Sequence, residues 1–338
     1  MKDLLILLLL AALALTLFWP GKGLAARWLA GRKLAARARQ EDALKHILKS
    51  EVNGRTCSVT SVAGALRLGE DSAAALLAEL EQGGLLTFEK GAPRLQPAGR
   101  ELAQHVVRAH RLWESFLADQ TGVAETDWHR HAERQEHLLT REETDRLAAK
   151  LGHPLLDPHG DSIPARGGEV AADSGQLLTE MEAGVWLEVV HLEDEPETLY
   201  RQLLALGLRP GLQARVEHRT RDHLDLLTAD RQRLRLNTVQ ASNVAVALRP
   251  DVAGEFDSAL SELRTGQTAV VLGLSPACRG AARRRLLDLG FVPGTVVRVE
   301  LVSPVGDPTA YRVRGSVVAL RRQQAALIRI TLPREEAA

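Results

Sequence analysis

The sequence predicts a multi-domain α+β protein built of an N-terminal transmembrane helix, a winged helix-turn-helix, a domain of long helices and two small β-barrels. Three observations carry this expectation. At 338 residues and 45% apolar, the chain is long enough to bury several separate cores. Its pattern shifts from helical periodicity rich in Leu, Ala, Arg and Glu to strand-like stretches from about Gly175 onward. A segment near the C-terminal end also repeats an earlier one. Lys+Arg and Asp+Glu balance at 43 each, so net charge selects no class of partner. The two cysteines, Cys57 and Cys278, lie far apart, which excludes a disulfide framework and fits a reducing compartment.

The first element is the uncharged run LLILLLLAALALTLFW, Leu4 to Trp19, at the short end of the roughly 17–25 residues that a spanning helix needs. A signal peptide is the competing reading, but its n-region would hold only Lys2, cancelled by Asp3. The basic residues come after the run instead: Lys22, Arg27, Arg32, Lys33, Arg37 and Arg39. By the positive-inside rule, residues 1–20 are expected to be an anchor in the inner (cytoplasmic) membrane, single-pass, with the remaining domains in the cytoplasm. Residues 21–40 form a basic juxtamembrane helix that either lies on anionic headgroups or serves as a topology signal.

Residues 41–100 read as three short helices and a hairpin. EDALKHILK is amphipathic, SVTSVAGALRL follows, and EDSAAALLAELEQGG ends in Gly83-Gly84. LLTFEKGAPRLQPAG then gives two strands around a Lys90-Gly91 turn. Three helices and a β-wing make the winged helix-turn-helix pattern. Two longer helical stretches follow, RELAQHVVRAHRLWESFLADQTG and WHRHAERQEHLLTREETDRLAAKLG, and then the proline- and glycine-punctuated loop HPLLDPHGDSIPARGG.

The internal repeat lies beyond that loop. YRQLLALGLRPGLQARV matches RRRLLDLGFVPGTVVRV at one constant offset, with Leu203, Leu204, Leu206, Gly207, Pro210, Gly211, Arg215 and Val216 recurring. Each copy predicts a short helix, a Gly-x-x-Pro-Gly turn and a strand, hence one small β-barrel used twice.

The densest metal-ligand vocabulary sits in the two long helices. His110 and Glu114 stand four apart, on one helical face. His129, Glu133, Glu136 and His137 follow, and Glu133, Glu136 and His137 converge through i, i+3 and i+4 spacing. Imidazole with carboxylate suits Mn²⁺, Fe²⁺ and Zn²⁺. Taken singly, either cluster reads more readily as a solvated, ion-paired face than as a metal site. Their occurrence on consecutive helices beside a winged-helix pattern favours a metal site. No activated nucleophile and no Gly-rich phosphate loop stands in the sequence, so no enzyme is predicted.

HVVRAHRLWESFL, then HRHAERQEHLL, then HPLLDPHGDSIP resembles the diphtheria-toxin-repressor family of metal-dependent regulators, with its manganese-sensing branch the closer match. The resemblance spans roughly Glu41 to Pro164. It implies a metal-binding and dimerisation domain at 101–165, a homodimer and operator DNA as partner. It implies Asp42, His110, Glu133, Glu136 and His137 as ligands of a regulatory site, and His110, Glu114 and His129 as an ancillary site. Glu133 replaces a cysteine of the iron-sensing branch and Asp42 its methionine, so the site is harder and more oxygen-rich. Lys45 stands where the manganese branch has a further carboxylate. Mn²⁺ or Fe²⁺ is the expected cofactor, while affinity order alone would favour zinc.

The helix expected to read DNA is acidic, with Glu70, Asp71, Glu79 and Glu81 and no Lys or Arg, which opposes phosphate contact. Ser72 (with Gln82) is left to hydrogen-bond bases, and Arg67, Lys90, Arg94 and Arg100 to touch the backbone from the flanks.

The second copy of the repeat, within 256–333, resembles the SH3-like accessory domain of the bacterial ferrous-iron uptake system, through L-x-x-L-G-x-x-P-G and G-D-P. The first copy, within 184–250, is a divergent version without the G-D-P stretch. The function expected is that of a membrane-anchored, Fe²⁺- or Mn²⁺-dependent DNA-binding regulator of metal homeostasis. The alternative is a non-DNA-binding accessory of a ferrous-iron transporter, engaged through the SH3-like domains.

Overall fold

A computed structural model describes Thr16 and residues 24–171, 175–228, 232–249, 258–275 and 278–331. The chain divides into two compact units. The first comprises residues up to His110 together with 133–146 and 164–172; the second comprises 111–132, 147–163 and everything from Asp173 on.

The first unit opens on helix α1 (Leu24–Val52). The sequence predicts a basic helix and a separate EDALKHILK helix, but the two form one 29-residue element, since no Pro or capping residue interrupts them. Helix α2 (Val59–Leu66) begins at Ser58, whose hydroxyl caps the Ser61 amide, and ends at Arg67 in the left-handed region. Helix α3 (Glu70–Gln82) buries Ala73, Leu77 and Leu80, one i, i+4, i+7 stripe. These join Leu44, Ile47 and Leu48 of α1 and Val62 of α2 in one core. Strands β1 (Leu86–Glu89) and β2 (Ala92–Leu95) pair antiparallel around Lys90-Gly91, both at positive φ. Three helices and an antiparallel hairpin therefore follow one another in this unit. Helices α4 (Pro97–Gln120), α5 (Trp128–Glu136) and α6 (Arg141–Lys150) each contribute to both units.

The second unit carries the repeat. Its first copy runs β3 (Gln176–Leu177), β4 (Trp186–Leu192), α7 (Glu197–Ala205), β5 (Gln213–Arg219), β6 (His223–Thr228), β7 (Arg233–Asn237), α8 (Thr238–Ala241) and β8 (Val244–Leu248). The second runs β9 (Ser258–Ala259), β10 (Thr268–Leu274), α9 (Gly280–Asp288), β11 (Val296–Val302), β12 (Thr309–Val313), β13 (Ser316–Leu320), α10 (Arg322–Ala325) and β14 (Ile328–Thr331). The sheet orders β3-β8-β4-β5-β6-β7 and β9-β14-β10-β11-β12-β13 are the same, all pairings antiparallel. Even the bulges recur, in β5 after Val216 and in β11 after Val299. The glycines of the shared motif explain why it recurs. Gly207 and Gly211 have φ +85° and +86°, and Gly290 and Gly294 have +95° and +82°, a region costly to any residue with a Cβ. Each sheet holds its own core, one around Leu187, Leu203 and Leu226, the other around Phe291, Val297 and Tyr311.

The expectation of a transmembrane helix, and with it a single-pass protein of the inner membrane, is corrected. Among the described residues no helix is long and apolar enough to cross a membrane. The longest, α1, is punctuated by Arg32, Lys33, Arg37 and Arg39, whose burial in hydrocarbon is costly. Apart from Thr16, the apolar run Leu4–Trp19 lies outside the described residues.

Candidate metal centre

In the first unit, α1 and the end of α5 bring one carboxylate-imidazole cluster together. Glu41 and Asp42 follow one another on α1, Glu136 ends α5 and His137 follows it directly. His137 Nε2 lies 3.1 Å from Asp42 Oδ1 and 3.6 Å from Glu136 Oε1. Ligand atoms of Asp42, Glu136 and His137 all lie within 4.8 Å of one another. Glu136 is buried, His137 largely so, and Asp42 faces solvent on one side. An oxygen-rich set with one imidazole fits Mn²⁺ or Fe²⁺.

The other nitrogen of His137 is equally engaged. Its Nδ1 stands 2.7 Å from Glu41 Oε2, and Arg37 Nε donates to Glu41 Oε1 at 2.6 Å. Glu41 is only 1% exposed, and this contact orients the ring so that Nε2 faces the cluster, the carboxylate–histidine arrangement common behind metal ligands. Burial disfavours the imidazolium, but hydrogen bonds to Asp42 and Glu41 and the Glu136 charge outweigh it and raise His137 to about 9. Burial likewise pushes the Glu136 carboxyl up, and the Lys45 and His110 charges overcome it, bringing it down to about 2. His110 meets Glu136 through Nδ1, and Lys45 Nζ lies 2.9 Å from the same carboxylate. Of the residues expected at the regulatory site, Asp42, His110, Glu136 and His137 thus come together. Glu133 is exposed and stands outside the Asp42–Glu136–His137 group.

The second unit gathers a second cluster. His129 Nδ1 lies 2.6 Å from Asp194 Oδ2 and 3.5 Å from Glu114 Oε1. His159 Nδ1 lies 3.3 Å from Glu114 Oε2 and 3.8 Å from Asp194 Oδ2. Glu114, Asp157 and His159 are buried and close enough to share an ion, and His159 Nε2 is buried without a hydrogen-bond partner among the described residues. Burial works against a charged His159 ring, yet the Glu114, Asp194 and Asp157 carboxylates raise it to about 10. Burial and the neighbouring Asp161 charge push Asp157 up to about 7. Of the expected ancillary set His110, Glu114 and His129, the last two meet here, but Asp157, His159 and Asp194 were missed in the sequence. The visible signal was D-P-H-G-D, with a ligand type at every second position. Asp157 Oδ1 accepts from the His159 and Asp161 amides and folds that segment into a tight turn. Gly160, at φ +99°, lets it lie on β4, where a Cβ would stand 1.9 Å from the Val190 carbonyl oxygen.

Of the expected DNA contacts, Arg67, Ser72 and Lys90 are exposed, just past α2, on α3 and in the hairpin turn. Arg94 and Arg100 instead converge on Glu51 of α1, which also accepts from the Leu95 amide at 3.0 Å. The solvent face of α3 presents Glu70, Asp71, Glu79 and Glu81.

Comparison with known proteins bears on both regions. Residues 96–165 match the family described as iron dependent repressor, metal binding and dimerisation domain, and residues 259–332 match the FeoA domain. The iron-dependent repressor IdeR of Mycobacterium tuberculosis is 30% identical over 188 residues, covering 52% of this chain and 81% of IdeR. A solved manganese-dependent transcriptional repressor in complex with manganese superposes with a TM-score of 0.58 at 26% identity, over 62% of this chain and 99% of that one. A fused Fe(2+) transport protein A/Fe(2+) transporter FeoB of Porphyromonas gingivalis is 42% identical over 73 residues, 22% of this chain. The chain spans only 8% of that fusion protein, and 18% of a probable metal transport membrane protein of Chlamydia trachomatis that it also matches. These relatives are regulators and transport proteins, in keeping with the expectation that the chain is not an enzyme. With four-fifths of IdeR covered at this identity, the chain belongs to the iron-dependent repressor family of metal-dependent transcriptional repressors and carries a FeoA domain besides.

Proposed function

We propose that this chain is a metal-responsive DNA-binding regulator of metal homeostasis that works as a homodimer, with Mn²⁺ or Fe²⁺ as its cofactor. The observation that carries this is the convergence of Asp42, on the first helix of the winged region, with Glu136 and His137 at the end of α5. An ion held there, with His110 and Glu133 as further candidate ligands, ties the winged region (41–100) to the helical domain (101–165). A bound divalent cation replaces the protons and internal ion pairs that hold these carboxylates, so occupancy sets how firmly α1 is pinned. Glu114 and His129, with Asp157, His159 and Asp194, are proposed as a second, ancillary site. The SH3-like domains at 184–250 and 256–333 modulate that state.

The test is binding of the full chain to fragments of its own promoter, with Mn²⁺ or Fe²⁺ present and then chelated, at two salt concentrations. Metal-dependent, sequence-selective binding that disappears in Glu136→Ala and His137→Ala supports this reading.

A second reading is favoured by specific observations. The acidic face of α3 repels phosphate, and Arg94 and Arg100 are occupied by Glu51. With a FeoA domain present, these features suit a non-DNA-binding accessory of a ferrous-iron transporter. Metal binding without DNA affinity at low salt would favour it.

A further inference from the structure

Among the charged groups that touch Glu136, Lys45 is no metal ligand. The Lys45 ammonium lies 2.9 and 3.1 Å from the two oxygens of Glu136 and 3.3 Å from His110 Nδ1. Lys45 stands three residues after Asp42 and four after Glu41, so all three leave α1 on the same side. A carboxylate and an imidazole nitrogen that converge on one cation are the donors of a divalent metal site. Here an ammonium, which has no lone pair to offer, takes the place of that cation. On its other flank the Glu136 carboxylate faces His137 Nε2, which Asp42 also approaches. Glu136 therefore stands between two cation positions, one ringed by Asp42 and His137, the other filled by Lys45. Its side chain is 1% exposed, so the ammonium, together with the His110 ring, compensates the burial of this charged carboxylate.

Resting on the metal-regulator reading above, we propose that Lys45 is a built-in cation standing where a second metal ion would bind, so that this centre takes one divalent ion rather than a pair. Lys45 is then the residue that sets stoichiometry and lowers affinity. The single ion enters beside a permanent positive charge, and the centre fills only at a higher metal concentration than a cluster lacking that charge would need.

The experiment is Mn²⁺ binding to the full chain and to Lys45→Glu and Lys45→Met, by equilibrium dialysis with metal analysis and by electron paramagnetic resonance. Counting relative to the native chain cancels ions bound elsewhere. Lys45→Glu is expected to take up one more Mn²⁺ per chain and to show the exchange-coupled spectrum of two adjacent ions. Lys45→Met is expected to keep the native count and to bind the ion at this centre about tenfold more tightly, because one repelling charge is gone. A coupled pair already present in the native chain and lost in Glu136→Gln would overturn the proposal while leaving the regulator reading intact. So would a Lys45→Glu chain that gains no ion, or a Lys45→Met chain that binds no more tightly. A native chain with no Mn²⁺ sensitive to Glu136→Gln would overturn the proposal and the regulator reading with it.

Discussion

His137 uses both ring nitrogens for different ends: Nδ1 faces the buried Glu41 and Nε2 faces Asp42 and Glu136. Removing a ligand and removing its orienting partner therefore have separable effects. Glu136→Ala or His137→Ala is expected to weaken Mn²⁺ binding at this centre beyond detection in calorimetry. Glu41→Gln is expected to weaken it by about 10- to 100-fold, the usual range for a partner behind a ligand. The pH dependence of the metal-free chain follows from the same ring. His137 is raised from its ordinary value to about 9, so its ion pairs stabilise the fold fully below about pH 6.5. That contribution is lost as pH rises through 9. The difference in urea midpoint between the native chain and His137→Gln is thus expected to shrink between pH 6.5 and 9. A difference that grows over this window would contradict the proposed role of Glu41 and Asp42.

At the scale of elements, the helical spacing that made Glu136 and His137 visible is local, whereas their partners come from α1, over ninety residues earlier. Spacing alone pointed to Glu133 as a third member, but the end of α5 turns that side chain to solvent. Glu41 was not legible, because a second carboxylate beside Asp42 reads as surface charge until the fold buries it. The tight turn at Asp157–Asp161 escaped for a related reason, since its proline and glycine mark a loop and say nothing of what the loop lies against. Its dependence on Gly160 is testable. Gly160→Ala drives a Cβ into the Val190 carbonyl at a backbone angle L-residues avoid. It is expected to destabilise the chain by at least about 2 kcal/mol in thermal or urea denaturation. Arg94 and Arg100, read from sequence as phosphate contacts, are bound to Glu51. Arg100→Ala is expected to lower stability by about 1 kcal/mol whether or not DNA is present. The helix–turn–strand motif shared by the two copies, by contrast, was legible, because its glycines are required by backbone angles rather than by distant partners, whereas β3, which joins the first sheet, lies before the expected start at 184.

For the whole molecule, family membership and the FeoA match pull toward two roles, regulation and transport, and the candidate metal cluster of α1 and α5 suits both. What separates them is whether an ion at that cluster governs DNA binding. The expectation of a membrane anchor is overturned in that no helix among the described residues is long and apolar enough to span; the apolar run that prompted it lies, apart from Thr16, outside those residues. The centre itself is the claim on which the rest depends. The most direct measurement is anomalous diffraction at the manganese edge from crystals of the full chain grown with Mn²⁺. The predicted result is a peak bounded by Asp42, Glu136 and His137 and absent in Glu136→Gln. Manganese found only at other residues, with those three still paired among themselves, would contradict it.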